Sequence, residues 1–231
     1  MTEPDIDKAL DSSDYFIKQS AIRDAGCTPA NIDKALDDNI PPKNANISPN
    51  YFRNISILAI ERQNASPANI NKALNSTHPH VREKAASHQN ANEDNINKAL
   101  NDASGMVKLN AISNPNATPA NIDKALDSNM FFVRYESIKH PNANEANFLK
   151  AWNQNHNNEV GSISEAQKTA NTDMKLRILN HPRVTSAIIE LALADDDLYI
   201  RLLAMRHPNA TKEQKERASD DPELISYLLK K

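Results

Sequence analysis

A six-residue pattern recurs along this chain of 231 residues at an almost constant interval. Its clearest copies read Asn-Ile-Asp-Lys-Ala-Leu. The last residues of six copies are Leu10, Leu36, Leu74, Leu100, Leu126 and Trp152. Four of the five intervals between them are 26 residues, and the remaining one is 38. A constant period of about 20 to 50 residues is typical of repeat proteins, in which each unit packs only on its neighbours.

A second motif confirms the period and extends it beyond Trp152. The copies of this motif are His88-Gln89-Asn90, Asn114-Pro115-Asn116, His140-Pro141-Asn142, His181-Pro182-Arg183 and His207-Pro208-Asn209. Projecting the period forward places two further repeats with their last residues at Leu193 and Ser219. The sequence therefore predicts about eight repeats in a single domain over 1–231. The interval of 38 residues and a second irregular step, of 41 residues from Pro141 to Pro182, predict loop insertions at about 39–50 and 153–167.

Each repeat is predicted to contain two short helices. In the fifth copy, Thr118 is an N-cap residue and Pro119 suits the first helical position, where no amide hydrogen is needed. Ile122, Ala125 and Leu126 then form one apolar stripe. A second helix should carry Val133 and end before the next His-Pro pair, because proline disfavours helical geometry in the preceding residue. With no alternating β pattern, the predicted fold is an all-α solenoid.

Composition excludes several classes of function. Three glycines argue against phosphate-binding loops, and one cysteine excludes a disulfide framework and a multi-cysteine metal site. The net charge of −3 gives no overall attraction to nucleic acid or to an anionic membrane. The sequence has no signal-peptide pattern and no apolar run of about 18 residues. We therefore expect a cytoplasmic protein without a membrane span and without a cofactor.

The repeat motifs resemble those of the leucine-rich repeat variant family. The motifs that carry the resemblance are the pairs Val81-Arg82, Val107-Lys108, Val133-Arg134 and Ile200-Arg201, the His-Pro-Asn turns, and the acidic ends Asp37-Asp38 and Asp195-Asp196. The resemblance implies a right-handed superhelix that alternates a regular helix with a shorter, partly 3₁₀ helix. The repeats are more distantly similar to the HEAT-like repeats of alkylpurine DNA glycosylases.

Two rows of basic residues recur with the repeat. The arginine row contains Lys18, Arg82, Lys108, Arg134, Lys175 and Arg201, and the lysine row contains Lys34, Lys72, Lys98, Lys124 and Lys150. Regularly spaced cations could follow a phosphate backbone. Alternatively, each could pair with the acidic or amide residue that closes a neighbouring repeat, such as Asp37, Asn101 or Asp127. We favour this structural interpretation because the chain as a whole is slightly acidic.

Histidines also recur in one row, at His88, His140, His181 and His207, with Asn114 in register. Stacked helices lie about 8–10 Å apart, which is too far for neighbouring histidines to share one zinc ion easily. We therefore predict hydrogen bonding at helix ends rather than metal binding. The sequence contains no recognisable nucleophile motif, and Cys27 occupies a position that holds alanine in other copies.

Three functional hypotheses follow from these patterns. The first is a non-enzymatic scaffold that binds a protein partner, with contacts in the insertions at Pro41, Pro42, Lys43 and His156. The second is a nucleic-acid-binding module that would use Arg82, Lys108, Arg134 and Arg201. The third is a structural subunit of a larger assembly. We favour the first because the basic rows have acidic or amide neighbours.

Overall fold

The computed structural model describes residues 1–37, 55–156 and 165–229, and these residues form α-helices joined by short turns. The predicted all-α repeat fold is confirmed. The helices are α1 Glu3–Leu10, α2 Tyr15–Arg23, α3 Pro29–Leu36, α4 Ile55–Ile60, α5 Pro67–Ala73, α6 Pro79–Ala86, α7 Glu93–Ala99, α8 Gly105–Ile112, α9 Pro119–Leu126, α10 Phe131–Lys139, α11 Glu145–His156, α12 Glu165–Leu179, α13 Ser186–Leu193, α14 Leu198–Arg206, α15 Lys212–Ala218 and α16 Pro222–Leu229.

The chain divides into two compact units, Met1–Ala117 and Thr118–Lys231. Odd-numbered helices are the first helices of the repeats and even-numbered helices are the second helices. In the first unit, α1, α3, α5 and α7 pack on one another in order, and α2, α4, α6 and α8 do the same. In the second unit, α9, α11 and α13 form one such series, and α10, α12, α14 and α16 form the other. Each unit therefore has two layers of helices.

Capping residues begin the first helices where the sequence predicts them. The N-cap side chain of Thr118 accepts a hydrogen bond from the backbone N–H of Asn121, and Pro119 follows the cap. Thr28, Ser66 and Asn92 cap α3, α5 and α7 in the same way. Because a helix of seven or eight residues is unstable alone in water, neighbouring repeats must supply most of its stability.

The core consists of small and aliphatic side chains repeated in register. The fully or almost fully buried members from the first helices are Ile32, Ala35, Ile70, Ala73, Ile96, Ala99, Ile122, Ala125, Phe148, Ala151 and Trp152. The small alanine side chains at these positions permit close approach of adjacent first helices. Trp152 takes the position that leucine holds in other repeats, and only 1% of its surface is exposed.

Two details differ from the expectations. The helices α11 and α12 extend into the predicted loop 153–167, as far as residue 156 from one side and from residue 165 on the other. The second helices in the described ranges are α-helical, whereas the family resemblance implied partly 3₁₀ helices. Pro41, Pro42 and Lys43 lie outside the described residues. His156 ends α11, and its side chain lies outside them too.

Candidate functional site

Within each unit, the lysine row ties first helices to the first helices before them. Lys72 Nζ donates hydrogen bonds to the Asp33 carbonyl at 2.8 Å and to the Asp33 and Asp37 carboxylates at 2.9 Å. Lys34 bonds the corresponding groups of the first repeat, and Lys150 bonds Asp123 and Asp127. These contacts support the structural interpretation of this row, because the ammonium groups are already engaged inside the stack.

At Arg82, Lys175 and Arg201, the arginine row links a second helix to the turn after the following first helix. Arg82 Nε donates to Asp102 at 2.6 Å, and its Nη1 donates to the Ser76 carbonyl at 2.9 Å. Burial raises the pKa of Asp102, but the hydrogen bond and charge of Arg82 outweigh this effect and leave the pKa below its usual value. Arg201 is buried and pairs with Asp221 and Glu223.

Other members of this row show how the pairing varies. Lys175 and Asp195 form a buried ion pair at 2.8 Å, with the ammonium group 5.7 Å from the centre of the Trp152 ring. Lys108 is half-buried on α8. Arg134 is also half-buried, and its Nη1 donates to the Ser128 carbonyl at 2.7 Å. Burial lowers the pKa of the Arg134 guanidinium. The structure gives Arg134 no carboxylate partner among the described residues.

The histidine row caps the ends of the second helices. His88 Nδ1 accepts the backbone N–H of Asn90 at 3.1 Å, which leaves Nε2 to donate to the Arg62 carbonyl at 3.0 Å. Asn114 makes equivalent bonds with its amide group. Within the described ranges, no group of three or more histidine, cysteine, aspartate or glutamate residues could hold a metal ion.

Asparagines form two further rows inside each unit. Asn95 Oδ1 accepts the Asn92 N–H, while its Nδ2 donates to the Pro67 carbonyl of the preceding repeat. At the turn between helices, Asn90 Nδ2 donates to the Gln63 and Ala65 carbonyls. The excess of asparagine therefore serves the stack itself, because each amide bonds its own turn and the preceding repeat.

One register position remains exposed although it carries large apolar side chains. This position is the second residue of α2, α8, α10 and α14, where the side chains are Phe16 (63% exposed), Met106 (53%), Phe132 (43%) and Tyr199 (53%). His80 occupies it in α6. At this register, four second helices therefore expose large apolar side chains to solvent.

A cluster of rings and guanidinium groups lies beside this position in the second unit. The Arg134 guanidinium is 5.7 Å from the centre of the Phe131 ring, and the Phe131 and Tyr135 rings are 5.7 Å apart. Arg177 of α12 lies 4.4 Å from the Tyr135 ring and donates to its hydroxyl at 2.5 Å. We call these four residues, together with Phe132, the aromatic–arginine cluster.

Two further observations concern the single cysteine and the lengths of the helices. Cys27 is buried, and burial raises the pKa of its thiol, so the reactive thiolate is disfavoured. None of the described helices has both the length and the apolar character needed to cross a bilayer.

Comparison with known proteins adds one structural neighbour. No family model matches the sequence, and no curated protein matches it. Among solved structures, a leucine-rich repeat variant with a novel repetitive structural motif is similar to this chain. The two are 13% identical, the similarity covers 88% of this chain and 85% of that chain, and the TM-score is 0.40. The sequence motifs resemble the family of this neighbour.

Sequence reasoning identified Arg134 but missed most of the surface around it. Phe131 and Phe132 were not singled out, and Arg177 was overlooked because it falls outside both basic rows. The repeat register contains a signal for the exposed position. Met106, Phe132 and Tyr199 directly precede the buried Val107, Val133 and Ile200, so they share one position in the repeat.

Proposed function

We propose that this chain is a non-enzymatic helical-repeat scaffold that binds a protein partner through its second helices. The observation that carries the proposal is the exposed apolar position, because Phe132 and Tyr199 in one unit and Phe16 and Met106 in the other leave large apolar surfaces in water. Protein interfaces are enriched in aromatic residues and methionine. Exposed tyrosine and phenylalanine side chains are therefore natural anchors for a partner.

The internal engagement of the basic rows supports a protein partner over nucleic acid. Lys34, Lys72, Lys150, Arg82 and Arg201 all donate to acidic groups within the stack. To bind phosphate, these cations would have to leave their acidic partners. The free energy lost with each broken ion pair would offset the free energy gained from a phosphate contact. The insertions, including Pro41, Pro42, Lys43 and His156, are proposed as additional contacts because insertions in repeat proteins often lie on the binding face.

A paired-variant capture experiment tests this function. Two baits are compared: the full chain and its double variant Phe132→Ser, Tyr199→Ser. Each is cross-linked to its binding partners in an extract of the native host, and the captured proteins are identified by mass spectrometry. We expect at least one protein to be retained by the parent chain and reduced about tenfold or more by the double variant, because interface anchors carry much of the binding energy. The control is Lys212→Ser, at an exposed site on α15. Equal capture by the double variant would argue against this surface.

A further inference from the structure

Arg134 departs from the pairing that most of the arginine row shows, as Lys108 also does, because neither has an aspartate 20 residues later in the chain. In three other repeats, the equivalent cation pairs with an aspartate 20 residues later: Arg82 with Asp102, Lys175 with Asp195 and Arg201 with Asp221. The residue 20 positions after Arg134 is Gln154. It lies within α11, which continues to His156 and so replaces the turn that carries the aspartate in the other repeats.

Arg134 is therefore a half-buried cation whose usual counter-ion is missing. Its polar contact in the described structure is the Ser128 carbonyl, and one face lies against the Phe131 ring. A guanidinium group has five N–H donors and suits bidentate binding of a carboxylate. The remaining donors, held partly out of water, favour an incoming anion because an opposite charge in such a site interacts more strongly than in bulk solvent.

Arg177 offers a second anion position in the same cluster. It bonds the Tyr135 hydroxyl and stacks on that ring, while its Nε is buried without a hydrogen-bond partner among the described residues. Arg177 as a whole is half-buried, so the N–H groups at the end of its guanidinium, rather than Nε, are the donors that an incoming acceptor would bind. The rings of Phe131 and Tyr135 join the two guanidinium groups into one continuous patch.

The residues around the two guanidinium groups indicate what else a ligand would contact. Phe132 follows Phe131 on α10 and is 43% exposed. Glu136, on the same helix, is paired with Lys139, and Asp173 is an exposed acid at the register of Phe132 on α12. These two carboxylates would repel an extended polyanion such as nucleic acid, but a short segment with one or two acidic side chains can avoid them.

From this arrangement, we propose that the aromatic–arginine cluster binds an acidic segment of a protein partner. One carboxylate would pair with Arg134, a second would accept from Arg177, and an apolar side chain would pack on Phe132. The inference rests on the proposed function and specifies the partner's chemistry. The cluster is particular to this repeat, because the positions of Phe131 and Tyr135 hold Pro79 and Glu83 in α6 and Gly105 and Leu109 in α8.

Peptide selection on the intact chain tests the proposal directly. A random library of 12-residue peptides is selected against the full chain at about 50 mM salt, and the enriched sequences are resynthesised with a fluorophore. We expect enriched peptides with at least two acidic residues flanking a leucine or an aromatic residue. Anisotropy titrations then measure their affinity for the parent chain and for Arg134→Gln, Arg177→Gln, Arg134→Lys and Phe132→Ala.

Each variant has a defined expectation. Arg134→Gln and Arg177→Gln should each weaken peptide binding about tenfold or more. Arg134→Lys should bind the peptide more tightly than Arg134→Gln but more weakly than the parent chain, because lysine keeps the charge but not the planar fork. Phe132→Ala should weaken binding about tenfold as well. Arg23→Gln, which removes an exposed cation from α2, should leave the affinity unchanged. Thermal melting followed by circular dichroism confirms that each variant is folded.

The outcomes separate the two proposals. Enriched peptides that bind the parent chain and the arginine variants equally would overturn the acidic-segment site but leave a binding scaffold in place. Enrichment of neutral or basic peptides would also overturn the site. Tighter binding of a single-stranded oligonucleotide than of any peptide, lost on Arg134→Gln, would assign the cluster to nucleic acid instead. Failure to enrich any peptide would count against both proposals.

Discussion

Asparagine at the third position of the first helices performs two tasks that are separate in most proteins. Asn95 closes its own helix terminus through Oδ1 and Asn92, and it bonds the preceding repeat through Nδ2 and Pro67. Gln214 performs both tasks in the last repeat, where it bonds Thr211 and Ser186. An amide suits this position because it carries an acceptor for the helix terminus and a donor for the preceding repeat.

Replacing Asn95 with alanine should destabilise the chain by about 1–3 kcal/mol, because the Asn92 N–H and the Pro67 carbonyl each lose a hydrogen-bond partner. Chemical denaturation with urea, monitored by circular dichroism, measures this change. The matched control is Asn101→Ala, since Asn101 is exposed in the turn after α7. A loss equal to that of the control would show that water replaces the amide without cost.

Histidine and asparagine are interchangeable caps in the histidine row, but only histidine can titrate near neutral pH. His181 is buried, with Nδ1 accepting from the Arg183 N–H and Nε2 bonding the His140 carbonyl. Burial, followed by the nearby charge of Arg183, lowers the pKa of His181 from 6.5 despite an opposing effect of the His140 carbonyl. The folded state therefore binds this proton less readily than the unfolded state does.

We expect His181→Asn to reduce the acid sensitivity of folding. The neutral ring contributes its stability above the ordinary pKa of 6.5, and this contribution falls as the pH drops below 6.5 toward the folded-state pKa. Urea midpoints measured between about pH 5 and pH 8 should show a steeper decline for the parent chain than for the variant. Identical pH profiles would refute the assignment of a titration effect to His181.

Between elements, the ion pairs of the arginine row fix the second helix of one repeat to the turn in the next. The pair Lys175–Asp195 is the most deeply buried, with side-chain exposures of 8% and 1%. The Lys175 ammonium group also lies 5.7 Å from the centre of the Trp152 ring. A buried charge that loses its partner is much more costly than an exposed one.

Asp195→Ala should cost about 3 kcal/mol, because it strands the Lys175 ammonium group in the stack. The double variant Lys175→Met, Asp195→Leu should recover most of that loss, since it removes both charges at once. Urea denaturation of the three proteins measures the comparison. As a control, Glu216→Ala breaks an exposed pair with Lys212 and should change stability little. A double variant as unstable as Asp195→Ala would indicate that packing, rather than charge, sets the cost.

For the whole molecule, stability should depend on contacts between neighbouring repeats. In the first unit, α7 packs on α5, α6 and α8. A chain stacked in this manner behaves approximately as a one-dimensional array, so a local defect should affect the adjacent repeats most.

Hydrogen exchange of Ala99→Leu tests this locality. Ala99 is 1% exposed, and a leucine there should strain the close approach of the first helices by about 1–3 kcal/mol. Amides of α5 to α8 should exchange faster, whereas amides of α13 to α16 should be unchanged. Ala103→Leu, at an exposed site, provides the control. Uniform acceleration along the chain would instead indicate a single cooperative unfolding unit.

The sequence by itself determined the repeat, its two helices and the roles of most repeated residues. A 26-residue period, the Thr-Pro caps and the His-Pro turns are local signals, and local signals suffice when each unit contacts only its neighbours. The same logic predicted that the lysine row and the histidine row serve the stack. The 26-residue period alone does not predict where α11 ends, because the extension of this helix to His156 is an exception to the repeat.

Only the tertiary structure decided which cations have partners. Arg82, Arg134 and Arg201 share one register in the sequence, yet Arg82 and Arg201 meet aspartates while Arg134 meets rings and a carbonyl. Arg177 stands outside the basic rows, and only the packing of α12 on α10 brings it to Tyr135. A charged group's role depends on what surrounds it in space, and residues on different helices acquire that surrounding only when the helices pack.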